Sequence, residues 1–128
     1  MGFYIAMLFF DLLIPFIMIV AGFFMYKNPP KKINNVYGYR TKRSKMNQDT
    51  WAFAHDYCGR LWVKIGLILM VLSIAAPIPF INSGDDAVGI ASGIIEGVQA
   101  LVLIASIFPT EMALKREFDK DGKRIEKE

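Results

Sequence analysis

Residues 3–26 read FYIAMLFFDLLIPFIMIVAGFFMY, and this stretch decides the class of fold. It holds one charged residue in 24 positions, and about 20 apolar residues in a helix span the hydrocarbon core of a bilayer. Residues 61–81 and 87–109 form two further apolar stretches. A soluble domain of 128 residues cannot bury three helices that are apolar on every side, so the sequence predicts three membrane spans.

The overall composition agrees with this prediction. Hydrophobic residues make up 54% of the chain, and the lone cysteine, Cys58, has no partner for an intramolecular disulfide. A soluble globular enzyme, a disordered tail and a disulfide scaffold are therefore excluded. We predict an all-α fold with one domain over residues 1–128. It is an integral membrane three-helix bundle with a cytoplasmic amphipathic helix that leads into the second span.

The basic residues predict how the spans are oriented. The chain has 15 Lys and Arg residues, and all of them lie in or beside the loop 27–60 and the tail 110–128. Residues 1–10 and the turn 82–86 carry none. Because Lys and Arg stay on the cytoplasmic side of a membrane, we expect the loop and the C-terminus inside and the N-terminus and the turn outside. The predicted location is a cell membrane, crossed several times.

The loop 27–60 has an internal order that the sequence predicts. Pro29 and Pro30 should end the first helix, because consecutive prolines cannot continue it. Asn47 has the position of an N-cap at the start of the amphipathic helix. The aromatic rings of Trp51, Tyr57 and Trp62 are expected at the lipid headgroups. In the tail, a short helix is expected from Thr110 to Phe118, followed by a turn at 119–122 and a frayed end.

Polar side chains within the predicted spans are candidates for function. Asp11 lies eight residues and Glu96 nine residues from the outer ends of their spans, so both lie ~12–14 Å deep. Ser73 shares this layer, and Gln99 is one turn deeper. Buried acids at this depth suit a proton or cation site, or a docking point for a ligand from outside. The alternative is that both acids are protonated and hold the helices together.

Glycines four residues apart also stand out in the third span, at Gly89, Gly93 and Gly97. Such glycines share one helix face and allow another backbone to approach closely. We expect this face to pack against the first or second span. The rival interpretation is a seam between two copies of the chain, which would make the protein a homo-oligomer.

The remaining polar motifs indicate few chemical roles. The basic cluster at 31–32 and 40–45 suits anionic lipid of the inner leaflet, and a protein or phosphate partner is the alternative. Nucleic acid is not expected, because no recognition helix or stacking motif accompanies the charge. His55 is the only histidine and has no set of partner ligands for a metal. We expect no metal and no cofactor.

One long pattern resembles the signature of the SdpI family, which is named for a bacterial immunity protein. The pattern runs from the loop into the amphipathic helix and consists of Gly38, Tyr39, Arg40, Thr41, Ser44, Asn47, Trp51, Ala54, His55 and Gly59. The resemblance covers most of this chain but only the C-terminal half of that immunity protein. It implies a membrane protein that protects its host against a secreted toxic peptide and signals by holding a repressor at the membrane. It also implies that these residues bind a ligand or partner. A structural hinge is the alternative role.

Three functions follow from these observations. The first is a non-enzymatic immunity or signalling protein that meets a peptide toxin outside and a regulatory protein inside. The second is a small oligomeric proton or cation transporter that uses Asp11 and Glu96. The third is an enzyme acting on lipid headgroups with His55 and Arg40.

Overall fold

The structure, a computed structural model, describes residues 1–125. Its helices are α1 (Gly2–Lys27), α2 (Gln48–Ala75), α3 (Asp85–Ala105) and α4 (Ile107–Glu117), with a single 3-10 turn at Ile78–Phe80. Over these residues there is no strand beyond an isolated bridge between Phe118 and Arg124. The prediction of an all-α fold is confirmed. Residues 126–128 of the predicted tail lie outside the described residues.

Most of the apolar surface of the long helices points away from the bundle. Within residues 1–125, three helical stretches are long and apolar enough to cross a membrane. They are α1, α2 together with the 3-10 turn (Gln48–Phe80), and α3 together with α4 (Asp85–Glu117). No more than 22% of the most apolar window of each is buried. Phe9, Ile68 and Leu101 are 62%, 61% and 68% exposed. A membrane protein of this kind covers such surface with lipid, as the apolar stretches predict.

Helix α1 buries one narrow face against the bundle. It begins at Gly2 and ends at Lys27, just before the two prolines that were expected to end it. Its buried residues recur three, four or seven positions apart, which places them on one side of a helix. They are Tyr4, Asp11, Pro15, Met18, Gly22 and Met25.

Helix α2 is continuous from the amphipathic segment into the second span. Its N-cap is Asn47, as predicted, whose side chain accepts a hydrogen bond from the Thr50 N–H at 2.8 Å. The Thr50 hydroxyl group in turn accepts from the Asn47 N–H at 3.0 Å. These reciprocal bonds form a capping box and fix the start of the helix.

Glycines allow α1 and α2 to approach closely, although not the glycines that the sequence singled out. A Cβ atom at Gly22 would lie 2.7 Å from the Gly59 carbonyl oxygen, and one at Gly66 would lie 3.0 Å from the Pro15 carbonyl oxygen. At Gly93 and Gly97 a Cβ atom would meet nothing within 4 Å. The expected packing of these two residues against another helix of the chain is wrong, because their side of α3 faces outward.

Gly89 differs from the other two glycines of α3, because a Cβ atom there would lie 3.6 Å from the Phe3 ring. This is an ordinary contact and not a close approach of two backbones. The contact of Gly93 and Gly97 with a second copy of the chain stays a prediction.

Helix α3 ends at Ala105, and α4 begins after Ser106 alone. The third span was expected to run to about residue 109, and the apolar helical stretch Asp85–Glu117 includes this position. Pro109 lies in the first turn of α4, where a missing N–H is tolerated. Helix α4 contacts α2 and joins an apolar core of Met25, Tyr39, Ala54, Cys58, Leu114 and Phe118.

The residues after α4 fold back onto the start of α2. Gly122 has a φ of 80° and closes a turn in which its N–H bonds the Asp119 carbonyl oxygen at 3.0 Å. The Asn47 side chain donates to the Gly122 carbonyl oxygen at 2.6 Å, and Arg124 pairs with Asp49 at 2.9 Å. The turn at 119–122 is confirmed, whereas the frayed end is wrong up to residue 125.

Candidate functional site

Polar residues meet at two separate places in the bundle. We call Asp11, Ser73, Ser92 and Gln99, which lie among the spanning helices, the Asp11 cluster. We call the end of the bundle formed by residues 28–47, the start of α2 and α4 the loop face. The opposite end, at Ile78–Phe80, is the hairpin face.

The Asp11 cluster joins all three spanning helices. Asp11 on α1 is fully buried and accepts a hydrogen bond from the Ser92 hydroxyl group of α3 at 3.0 Å. The Gln99 side chain of α3 donates to the Asp11 carbonyl oxygen at 2.6 Å and to the Ser73 hydroxyl oxygen of α2 at 2.7 Å. The depth argument therefore brought together residues that are in contact.

Two oxygen atoms of this cluster have no hydrogen-bond partner. They are Oδ1 of Asp11 and Oε1 of Gln99, and both are buried. Glu96 is partly buried on the same helix as Gln99. A buried acceptor without a donor is destabilising, so the cluster favours a proton, a water molecule or a cation.

The loop face is organised by Gly38, Tyr39 and His55. Gly38 has a φ of 101°, which side chains other than glycine rarely adopt. The turn that it makes lets the Tyr39 N–H donate to Nε2 of His55 at 2.9 Å. Because Nε2 accepts, the ring proton is on Nδ1, 2.8 Å from the Trp51 carbonyl oxygen. Both ring nitrogens are occupied, so His55 offers no free base for an enzyme acting on lipid headgroups.

The Tyr39 side chain connects the loop to α4. Its hydroxyl group donates to Oε1 of Glu111 at 2.7 Å. Burial and the Glu111 carboxylate raise the pKa of Tyr39 above its usual range, so the hydroxyl group remains a donor. Arg43 adds a longer ion pair to Glu111 at 4.0 Å.

The other motif residues hold the loop in place. Ser44 is fully buried, and its hydroxyl group donates to the Tyr39 carbonyl oxygen at 3.0 Å and accepts from the Thr41 N–H at 2.9 Å. Trp51 is also fully buried, and its indole N–H donates to the Pro30 carbonyl oxygen at 2.7 Å. The expected headgroup position of Trp51 is therefore wrong, because the loop covers its ring.

Arg40 differs from the rest of the motif because its side chain is exposed. It donates one hydrogen bond, to the Asn35 carbonyl oxygen of the same loop. A guanidinium group has five N–H donors in a fork that fits phosphate or carboxylate. Arg40 is thus the motif residue best placed to bind a group from outside the chain.

The hydrogen-bond partners of two candidate residues, Tyr39 of the motif and Asp11 of the first span, were not found from the sequence. Glu111 binds Tyr39 from α4, and Ser92 binds Asp11 from α3. The spacing gave a usable signal for Ser92, since it precedes Gln99 by seven residues and so shares its helix face. In residues 1–125, no three His, Cys, Asp or Glu side chains come together as a metal site requires.

The motif and its geometry agree with the comparisons with known proteins. The model of the SdpI/YfhL protein family matches residues 31–110, which include the loop, α2 and α3. The chain belongs to the SdpI/YfhL protein family. Over 53 residues it is 45% identical to uncharacterized protein YfhL of Bacillus subtilis strain 168. That match covers 41% of this chain and 48%, about half, of the relative. No solved structure matches the chain.

Proposed function

We propose that this protein protects its host against a secreted antimicrobial peptide and relays the presence of the peptide to a regulatory protein in the cytoplasm. It does so without catalysing a reaction. In the proposed orientation the N-terminus and the hairpin face are outside. The loop face and the tail are cytoplasmic, because the basic residues of the sequence concentrate there. Membership of the SdpI/YfhL family supports this choice over other classes of membrane protein.

The hydrogen bond between Tyr39 and Glu111 carries the proposal. It joins the loop of the family motif to α4, and only Ser106 separates α4 from α3. Helix α3 in turn holds the Asp11 cluster through Ser92 and Gln99. A peptide that displaces α3 near the hairpin face would therefore move Glu111 and, through it, the basic loop.

The first test is survival of a sensitive host challenged with the secreted peptide toxin of an SdpI-type system. We expect wild type and Tyr57→Phe to protect, and Tyr39→Phe to protect at least tenfold less. Tyr57 is the matched control because its hydroxyl group makes no hydrogen bond within residues 1–125. Membrane levels are measured for all three. Absence of protection by wild type at a normal membrane level would contradict the resistance function.

The second test concerns the relay. Cys58 is buried, so a thiol introduced by Lys42→Cys reports on the loop in intact membranes. We expect the toxin to change the rate of thiol labelling at position 42, and Tyr39→Phe to abolish the change. Protection without any change in the labelling rate would remove the relay from the proposal and leave resistance standing.

The unpaired oxygen atoms of Asp11 and Gln99 favour a second candidate, a small oligomeric proton or cation pathway through the bundle. Acid-driven flux into liposomes tests it. We expect flux in wild type and in Asp86→Asn, an exposed control at the start of α3, and loss of flux in Asp11→Asn and Glu96→Gln. Equal flux in all four proteins would contradict a pathway through this cluster.

A further inference from the structure

A cavity of about 500 Å³ lies at the loop face, beside the end of α1. Helix α1 contributes one apolar wall, Trp62 and Ile107 contribute another, and residues 37–41 form the polar rim. Its volume falls within the range of ~300–1,000 Å³ that is usual for small-molecule sites. The cavity thus combines residues of the spanning helices with residues of the basic loop.

The apolar wall faces the region where lipid is expected. Phe24 is 56% exposed and Ile107 is 41% exposed, and both belong to helices with membrane-spanning composition. The polar atoms of two other lining residues are already engaged. The Trp62 indole N–H donates to Ser106 at 2.9 Å, and the Tyr39 hydroxyl group donates to Glu111. This wall therefore offers hydrocarbon contact.

The rim has the charge and the donors that suit an anion. Arg40 uses one N–H on Asn35 and presents the rest of its guanidinium group. Asn28 adds an amide group and Tyr37 adds a hydroxyl group. Neither group makes a hydrogen bond within residues 1–125. No acidic residue is among the described residues that line the cavity. The Glu111 carboxylate lies outside the lining and already accepts from the Tyr39 hydroxyl group, so the lining itself offers a phosphate group the Arg40 guanidinium without an acidic side chain.

We propose that this cavity binds one anionic phospholipid from the leaflet on the loop side. Its phosphate group binds the Arg40 guanidinium, and the first carbons of its acyl chains lie against Phe24, Met25 and Ile107. The remainder of the chains stays in the bilayer, because the cavity volume holds only part of a lipid. The inference stands apart from the proposed resistance function and needs no toxin.

The chain carries its own probe for the test. Of its two tryptophans, Trp62 lines the cavity, whereas Trp51 is fully buried under the loop. We would titrate the purified full chain in detergent with phosphatidylglycerol brominated near the start of its acyl chains. Saturable quenching of tryptophan fluorescence is expected, and Trp62→Phe should abolish it.

Two variants with a matched control separate specific binding from general attraction. Arg40→Ala should weaken lipid binding about tenfold or more, since it removes a charge-assisted bidentate contact. Lys42→Ala removes the same charge from the same loop outside the cavity lining and should change binding less than about twofold. Ala21→Phe fills part of the cavity beside its apolar wall. It should weaken lipid binding although every charge is kept. Circular dichroism confirms that each variant is folded.

Three results would overturn the proposal. The first is an equal loss of binding in Arg40→Ala and Lys42→Ala, which would indicate unspecific attraction. The second is quenching that never saturates, as expected for lipid surrounding the helices. The third is displacement of the lipid by glycerol 3-phosphate at equal concentration, which would make a soluble phosphate compound the occupant. Retention of the lipid against glycerol 3-phosphate supports the proposed source.

Discussion

The loop face and the Asp11 cluster both contain buried polar side chains, but they differ in how completely these side chains are hydrogen-bonded. At the loop face, Tyr39, Ser44 and His55 each bind partners within the chain. In residues 1–125, the two buried side-chain oxygens without a partner both belong to the Asp11 cluster. Completely paired groups stabilise one conformation, whereas unpaired ones favour a change of protonation or hydration. Tyr39, Ser44 and His55 of the motif therefore hold the loop against the helices, whereas the unpaired oxygens lie among the spanning helices.

The largest effect is expected at the centre of the loop face. Trp51→Ala removes a fully buried ring and leaves the Pro30 carbonyl oxygen without its donor, so we expect a loss of about 3–5 kcal/mol in the free energy of unfolding. Unfolding by titration with a denaturing detergent measures it. Val36→Ala, at an 82% exposed position of the same loop, is the control and should change stability little. A loss below about 1 kcal/mol would mean that the loop does not close over Trp51.

The next effect concerns the close approach of α1 and α2. Gly59→Ala should destabilise the bundle by about 1–3 kcal/mol, because its Cβ atom would lie 2.6 Å from the Gly22 carbonyl oxygen. Gly97→Ala introduces the same group where nothing lies within 4 Å and should stabilise α3 by about 0.5–1 kcal/mol. The same detergent titration compares them.

This pair of variants also sharpens the prediction of a homo-oligomer. Within a single chain there is space for a methyl group at position 97. If α3 packs against α3 of a second copy, however, Gly97→Ala should reduce cross-linking between copies in the membrane. Unchanged cross-linking in Gly97→Ala would contradict a seam at these glycines.

A smaller effect is expected within the Asp11 cluster. Gln99→Leu removes the hydrogen bonds to Asp11 and Ser73, and such bonds are worth ~0.6 kcal/mol on average in membranes. We expect a loss of about 1 kcal/mol, measured as above. Val98→Leu, at the neighbouring 50% exposed position, should be neutral. A loss as large as that of Trp51→Ala would show that the Asp11 cluster contributes as much to the stability of the fold as the loop face does.

The smallest effect on stability is expected for Asp11→Asn. The amide keeps an oxygen for Ser92 and replaces the unpaired oxygen by a donor, so stability should change by less than about 0.5 kcal/mol. A loss above about 2 kcal/mol in the same titration would mean that the carboxyl group itself is needed for packing.

The sequence predicted those features that depend on one helix at a time. The apolar runs gave α1, α2 and α3, and Asn47 was recognised as the N-cap because capping needs only neighbouring residues. Asp11 and Ser73, which the rise per residue of a helix placed in one layer, both accept a hydrogen bond from the Gln99 side chain.

The errors arise where helices must be rotated relative to one another. Depth does not determine which side of α3 faces inward, so Gly93 and Gly97 were placed inside, while Gly22 and Gly66 were passed over. Trp51 was expected at the headgroups because the covering loop could not be placed. The partnership of Tyr39 with Glu111 joins residues 72 positions apart, beyond the reach of any local pattern.

The return of the chain onto α2 has a consequence for biosynthesis. Asn47 at the start of α2 bonds Gly122, 75 residues later, and Asp49 bonds Arg124 at the same separation. The ribosome synthesises α2 long before these partners exist. The start of α2 therefore completes its contacts only after the third span and α4 have been made, so closure of the loop face is a late step in assembly.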